Sequence, residues 1–230
     1  MPSKSPYFDQ AFFRFLQDLT ENNQREWFQA NKQRYEDEVR EPAQRFISDF
    51  GPVLRKISPH FLADPRPSGG SMFRIYRDTR FSKDKTPYKT HVGIQFRHKQ
   101  GKDVHAPGFY LHLEPGGCFA GVGIWHPDGA ALAGIRAAID EQPRRWKQIS
   151  GSKRFSETFS LAGDSLKRAP KGYDPDHALI DDLKRKDVIA VANRGARTVG
   201  SRDFLEHFST RCRSGGSLVR FLCEAVDVPY

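Results

Sequence analysis

The sequence has few cysteines and no long apolar run. Cys118, Cys212 and Cys223 are an odd number and form no CxxC pair, so we expect neither a disulfide framework nor a zinc-thiolate site. No apolar run approaches the roughly 20 residues that cross a bilayer, and the start of the chain lacks the continuous apolar segment of a secretory signal. The sequence therefore predicts a protein of the reduced cytoplasm with no membrane partner.

The sequence also lacks the motifs of several familiar chemistries. The glycine-rich stretch GGCFAGVGIW does not have the GxGxxG spacing, and nothing resembles the HExxH zinc motif. Ser82 and Cys118 stand outside any recognisable triad context. We accordingly predict no metal site. The sequence identifies no cofactor, and it leaves open the oligomeric state and whether the protein is an enzyme.

The charge that is present is mostly positive and unevenly distributed. The chain has 37 basic and 28 acidic residues, a net charge of +9. Residues 1–50 carry −2, residues 51–125 carry +7 from 12 basic and 5 acidic residues, and residues 126–230 carry +4. Such a field attracts phosphate, nucleic acid or acidic partners, although solubility alone would also account for it.

The spacing of apolar residues predicts helices at both ends and a sheet between them. Residues 1–60 have helical spacing, residues 72–126 have a period of two, and residues 127–230 are mainly helical, with helices near 201–212 and 216–226. The alternating runs lie at residues 73–75, 92–96, 109–113 and 118–124, and DVIAVANR could add a strand. We predict a single α+β domain over residues 1–230, with a central antiparallel β-meander of about four or more strands flanked by N-terminal and C-terminal helices.

The stretch NNQREWF is a candidate helix start. Asn23 is followed three residues later by Glu26, which predicts a capping box opening a second helix. Two adjacent asparagines and a following arginine could instead bind a ligand at that helix N-terminus.

The densest chemistry is RIYRDTRFSKDKTPYKTH, residues 74–91, which has six lysines and arginines against two aspartates. If residues 73–81 form a strand, Arg74, Tyr76, Asp78 and Arg80 share one face because alternate residues point the same way. The neighbouring strands would add further polar side chains to this face: His91, Gln95, Tyr110, His112 and Glu114.

A surface of this kind suits recognition of a multiply charged anion, since arginine offers a planar fork and lysine a mobile charge. The candidate ligand-binding residues are Arg74, Tyr76, Arg77, Arg80, Lys83, Lys85, Lys89 and Tyr110. The candidate catalytic residues, which would handle protons, are Asp78, His112 and Glu114. We therefore predict a protein that binds, and could process, a small anionic or phosphorylated ligand.

Two other functions fit the same residues. The basic middle region with Tyr76, Phe81, Tyr88 and Trp125 could bind nucleic acid through phosphate contacts and base stacking. Alternatively, the protein has an interaction or scaffold role, and Arg74, Asp78 and Arg80 form a structural ladder of ion pairs. In that case His112 and Glu114 simply face water.

Three stretches resemble a known family. They are FLQDLTENNQREWFQANKQRYEDEVREP, FRIYRDTRFSKDKTPYKTHVGIQF and LAGDSLKRAPKGYDPDH. They resemble the family called domain of unknown function 2461, found mainly as stand-alone bacterial proteins, and the resemblance runs over roughly residues 7–190. It implies a soluble, single-domain protein and implies no activity.

Overall fold

The computed structural model of the chain describes residues 6–101, 106–194 and 196–230. Residues 1–5, which belong to the predicted helical region, and residues 102–105 and 195 lie outside this description. None of the described helices combines the length and the hydropathy that a membrane-spanning helix requires.

The N-terminal region is helical, as the spacing of its apolar residues predicts. Asp9 caps the first helix, because its carboxylate accepts hydrogen bonds from the N–H groups of Ala11 and Phe12 at 2.9 and 3.1 Å. The helices are α1 (Gln10–Glu21), α2 (Arg25–Ala30), α3 (Lys32–Tyr35) and α4 (Glu41–Ile57), with a π-helical turn at Glu36–Arg40 before α4.

A five-stranded antiparallel sheet follows. Its strands are β1 (Val92–Arg97), β2 (Gly108–Leu113), β3 (Cys118–Ile124), β4 (Ser160–Ala162) and β5 (Val188–Arg194). The strand order is β1-β2-β3-β5-β4, and every neighbouring pair is antiparallel. The predicted α+β class is confirmed, and the stretch DVIAVANR is the strand β5. The short edge strand β4 was not predicted.

The predicted strand at residues 73–81 is wrong. This segment makes only isolated bridges, Met72 with Ile94 and Tyr76 with Tyr88. The last of its hydrogen bonds to β1 comes from the Phe73 N–H, to Gly93 at 2.9 Å. Beyond that point the chain pairs with its own returning segment, since the main-chain N–H of Lys89 donates to the Ile75 carbonyl at 2.8 Å. The segment therefore leaves the sheet as a separate hairpin.

In the described part of the C-terminal region, which the sequence predicts to be mainly helical, there are six helices. They are α5 (Gly129–Glu141), α6 (Pro143–Ser150), α7 (Lys153–Ser156), α8 (Ile180–Leu183), α9 (Ala196–Val199) and α10 (Phe204–Ala225). The two helices predicted near 201–212 and 216–226 are one continuous helix, α10. Gly215 and Gly216 do not interrupt it, because both pack closely against other parts of the chain.

One face of the sheet forms the core. Alternate residues of the strands are apolar and fully buried on this face, whereas Gln95, Tyr110, His112 and Phe119 on the opposite face are only partly buried. Phenylalanine rings join the core face to α4 and α10. The Phe50 ring centre lies 4.7 Å from that of Phe96 and 5.0 Å from that of Phe208. We call the partly buried side the open face.

Gly215 is required where α10 crosses β3. A Cβ atom at this position would lie 2.8 Å from both Cγ atoms of Val122, whose branched side chain cannot swing away. We expect Gly215→Ala to lower the free energy of unfolding by about 1–3 kcal/mol, measured by urea denaturation, because the core is overpacked. Gly129→Ala is the matched control, since its Cβ would meet nothing within 4 Å in the described chain. A stabilisation of similar size in both variants would contradict this packing.

Candidate functional site

Three polar side chains form a row along β2 on the open face. The Tyr110 hydroxyl lies 3.1 Å from Nδ1 of His112, and Nε2 of His112 lies 3.2 Å from Oε2 of Glu114. Residues two apart on an extended chain point to the same side, which is why the three meet. The predicted pairing of His112 with Glu114 is therefore present. We call these three residues with His91 the histidine row.

Aromatic rings fix the orientation of His112. Its ring stacks on His91 with centres 4.6 Å apart and on Phe119 with centres also 4.6 Å apart. The His112 side chain is 13% exposed, whereas the Glu114 side chain is 43% exposed. One end of the row is thus enclosed by rings and the other end reaches solvent.

Burial sets the protonation states of two members of the row. Burial lowers the pKa of His91 to about 4, helped by neighbouring His112 and, more weakly, by Lys89 and Arg77, against an opposing effect of Glu114. Burial raises the pKa of Tyr110 to about 12. Near neutral pH, His91 is therefore uncharged and Tyr110 keeps its phenolic proton.

The cations of residues 75–89, which we call the basic hairpin, are partly neutralised within it. Arg77 pairs with Asp84, and Arg80 pairs with Asp78 at 2.7 Å. The Arg80 hydrogen bond lowers the pKa of Asp78 to about 2. A carboxylate with so low a pKa is a poor general base near neutral pH. Of the ladder proposed from sequence, the pair Asp78 and Arg80 exists, between residues two apart in the chain and not across strands. Arg74 makes no ion pair with the described residues, and the pair Arg77 and Asp84 was not proposed.

Lysines of the hairpin bind main-chain carbonyls. Lys85 donates to the Thr79 carbonyl at 2.8 Å, and Lys89 donates to the Arg74 carbonyl at 3.0 Å. Burial and the charge of Arg74 lower the pKa of Lys89. These bonds close the hairpin at its tip and at its base.

Asn23 attaches the basic hairpin to the N-terminal helices. Its side-chain amide donates to the Tyr88 carbonyl at 3.0 Å and accepts from the Tyr88 N–H at 3.1 Å. The Phe28 and Tyr88 rings stack beside this contact, with centres 4.2 Å apart. The predicted capping box is wrong, because the Asn23 amide is committed to Tyr88. Gln24 is the N-cap of α2, with no side-chain cap from the described residues.

A cleft opens between the start of α2 and the basic hairpin. We call it the basic cleft; its volume is about 580 Å³. Arg77 and Lys85 of the hairpin line it, together with Arg25 of α2 and one acid, Glu26. Arg25 has no ion pair with any residue that the structure describes. Tyr76, 48% exposed, forms part of the wall.

The predicted site residues are thus divided between two places. Tyr76, Arg77 and Lys85 line the basic cleft, and Tyr110, His112 and Glu114 belong to the histidine row. Arg74, Asp78, Arg80, Lys83 and Lys89 lie outside the lining of the cleft. The two places are close along the chain, because Tyr88 lines the cleft and His91 of the row follows it three residues later. Arg25 lies outside residues 74–91, and the sequence indicates it only through the alternative in which the asparagines and the arginine of NNQREWF bind a ligand. Asn23 and Arg25 both line the cleft.

A second imidazole–carboxylate pair was not predicted. Asp187 is 2% exposed and accepts hydrogen bonds from the N–H groups of His126 and Asp164 at 2.8 and 3.0 Å. Its Oδ1 lies 3.1 Å from Nδ1 of His126, whose φ of 46° is in the left-handed region. The partners are 61 residues apart, so no local motif marks them.

The described part of the chain contains no group of three or more His, Cys, Asp or Glu side chains placed to hold a metal ion. The chemistry that these arrangements offer is charge recognition in the basic cleft and proton transfer along the histidine row.

A comparison with protein families places this chain. Residues 11–221 match the family model described as Conserved hypothetical protein (DUF2461). The chain belongs to this family. The resemblance predicted from three stretches is confirmed, and the DUF2461 match includes the basic cleft and the histidine row. A search of curated proteins found no match.

The buried state of His91 predicts a pH-dependent stability. Its pKa is about 4 in the folded protein against 6.5 in the unfolded chain, so the unfolded chain binds more protons between these values. The free energy of unfolding should be highest above pH 6.5 and should fall as the pH drops from 6.5 towards 4. Urea denaturation at pH 7, 6 and 5 measures the slope.

The variant His91→Gln should show a shallower slope. Some slope should remain, because burial also lowers the pKa of His98. His207→Gln, at an exposed position of α10, is the control and should keep the wild-type slope. An unchanged slope in His91→Gln would show that this imidazole does not titrate as described.

Proposed function

We propose that the protein binds a small anionic ligand, such as a nucleotide or a phosphorylated metabolite, in the basic cleft. The observation that carries the proposal is the pair Arg25 and Lys85, which line one cleft and have no carboxylate partner among the described residues. Cations without carboxylate partners on a concave surface favour an anion from solution. Arg77 adds a guanidinium that Asp84 and Thr86 already orient.

Tyr76 supports a ligand that has a planar or apolar part. Its ring is half exposed and is held from behind by Tyr88, at 5.5 Å between ring centres, and by Phe28, at 6.3 Å. A supported ring beside cations can stack on a base or a sugar while the cations bind phosphate. This arrangement favours a nucleotide-like ligand over an inorganic ion.

The histidine row is the group through which a bound ligand could be processed. Its member His91 follows Tyr88 of the cleft lining by three residues, and His112 is oriented by a phenol on one side and a carboxylate on the other. Glu114 would accept a hydrogen bond from Nε2–H of His112 and so hold the proton on that nitrogen, which leaves Nδ1 facing the Tyr110 hydroxyl. We thus propose that the basic cleft binds the anionic ligand. Proton transfer by His112 and Glu114 is the chemistry that the site offers to a bound ligand.

We also propose that residues 1–230 act as a single α+β domain in the cytoplasm. One connected cluster of buried apolar side chains includes residues from the N-terminal helices, the sheet and α10, which supports a single domain. Cys118, Cys212 and Cys223 are buried thiols, which supports a reducing compartment.

Removing the two cations that lack a carboxylate partner tests the basic cleft. We expect the double variant Arg25→Gln, Lys85→Gln to bind ATP at least about ten-fold more weakly than the wild type in isothermal titration calorimetry, because charge-assisted hydrogen bonds are lost. The control is Arg74→Gln, Lys83→Gln, which removes the same charge from exposed positions outside the cleft lining. An equal loss in the control, or no ATP binding by the wild type, would contradict the cleft as the site.

Nucleic-acid binding is a second candidate function. Among the described residues, the exposed large hydrophobic side chains are those of Tyr76, Phe81 and Trp125, at 48%, 96% and 50%. All three belong to the set assigned to base stacking from sequence, whereas Tyr88 is buried. Phe81 lies under the Arg80 guanidinium at 5.8 Å, a pair that could stack on a base.

Salt dependence tests this second candidate. We expect binding to a single-stranded oligonucleotide, followed by fluorescence anisotropy, to weaken with salt along a log–log slope of roughly −3 to −4. Phe81→Ala should weaken binding at constant salt and leave the thermal midpoint unchanged, because this ring is almost wholly exposed. The absence of binding at low salt would eliminate this function.

A further inference from the structure

A second basic concavity lies among the helices α4, α6, α7 and α10. Its volume is about 610 Å³, and none of its lining residues belongs to the basic cleft. Five cations line it, and no aspartate or glutamate of the described chain does so. The five are Lys56, Arg145, Arg154, Arg213 and Arg220. We call this surface the C-terminal groove.

Four helices deliver these cations. Arg213 and Arg220 are seven residues apart on α10 and therefore lie two turns apart on the same side of that helix. Lys56 is in the last turn of α4, Arg145 is on α6 and Arg154 is on α7. The concentration of charge is thus a product of tertiary packing, and no continuous stretch of sequence contains it.

Four of the five cations have no built-in counter-charge. Arg145 pairs with Glu224 and stacks on the Phe221 ring at 5.3 Å. The other four make no ion pair with the described residues. Gathering like charges in one concavity raises the electrostatic energy of the folded protein unless an anion binds there.

Part of the groove is held rigid before any ligand arrives. The Arg220 guanidinium lies 4.8 Å from the Tyr230 ring centre, which restricts its movement. Gly216 permits this arrangement, because a Cβ atom there would lie 2.8 Å from the Tyr230 hydroxyl. A guanidinium fixed in place loses less conformational entropy on binding.

The remaining lining is apolar on one part and hydroxyl-bearing on another. Ile149 and Phe155 supply apolar surface, and Ser214 and Ser217 supply hydroxyl donors beside the arginines. Such a mixture suits a molecule that is anionic at one end and apolar at the other. The volume is within the range of small-molecule pockets, and none of the exposed large aromatics lies in the groove, so stacking along a polymer is not favoured.

We propose that the C-terminal groove is a second binding site, for a small ligand in which two or more phosphate groups are attached to an apolar or aromatic part. Arg213 and Arg154 would bind separate phosphate groups from two sides, Arg220 would supply a preoriented fork, and Ser214 and Ser217 would donate hydrogen bonds to phosphate oxygens. The proposal stands on the groove alone and does not depend on the function of the basic cleft.

The test is calorimetric titration of the full chain with inorganic pyrophosphate, ATP and a 12-residue single-stranded oligonucleotide at low salt. The variant is Arg154→Gln, Arg213→Gln, which should weaken ATP and pyrophosphate binding at the groove at least about ten-fold. The matched control is Arg144→Gln, Arg168→Gln, which removes the same charge from exposed positions outside the groove and should change affinity less than two-fold. Equal thermal midpoints would show that all the variants are folded.

The two anion sites are separated by their own variants. ATP binding that persists in Arg25→Gln, Lys85→Gln and is lost on adding Arg154→Gln, Arg213→Gln supports the groove, whatever the outcome at the cleft. The proposal is overturned if the groove variant binds both phosphate probes as the wild type does, or if the control loses as much affinity. It is also overturned if only the oligonucleotide binds in a groove-dependent way.

Discussion

The packing of phenylalanine rings between the sheet and the helices α4 and α10 is the constraint on which the other features depend. Phe46, Phe50 and Phe208 meet Phe96 of β1, so the two long helices must lie on one face of the sheet. That choice leaves the opposite face open and places Tyr110 and His112 there. It also brings the last turn of α4 and the middle of α10 to the C-terminal groove. The positions of the histidine row and of the C-terminal groove thus both follow from how this core is packed.

In the basic hairpin, local contacts determine the shape and long-range contacts determine the position. Its own aspartates neutralise Arg77 and Arg80, which sets its internal shape, whereas the Asn23 amide and the Phe28 ring fix its position on the helices. Exposed ion pairs contribute little to stability. The attachment through Asn23 and Phe28 is therefore what gives the basic cleft a defined wall.

The sequence predicts the parts of this fold in which side-chain periodicity and burial agree. The strands β1, β2, β3 and β5 and the N-terminal helices all have apolar residues at the period of their structure, and His112 meets Glu114 because a strand places alternate residues together. Residues 73–81 also alternate, yet they form no strand. The backbone partners of residues 75–77 are residues 87–89, and no side-chain pattern specifies which segment supplies the hydrogen bonds. Register between distant segments is not encoded locally.

The site was predictable to the same extent. A dense run of cations can be seen in the sequence, and two of them, Arg77 and Lys85, do line a cleft. Arg25, Asp187 and the arginines of the groove join their sites only through packing. Asn23 shows the converse case, in which a strong local motif is used for a distant contact. Asn23 and Tyr88 are 65 residues apart, and a contact over that separation leaves no recognisable spacing in a single sequence.

The adjacent glycines of α10 have a consequence for the order of assembly. Glycine inside a helix costs about 1 kcal/mol relative to alanine, so Gly215 and Gly216 make the middle of the longest helix intrinsically weak. Contact with Val122 and Tyr230 must compensate for that weakness. We therefore expect α10 to become one continuous helix only after β3 is already hydrogen-bonded. The C-terminal third of the chain would then fold late and through long-range contacts.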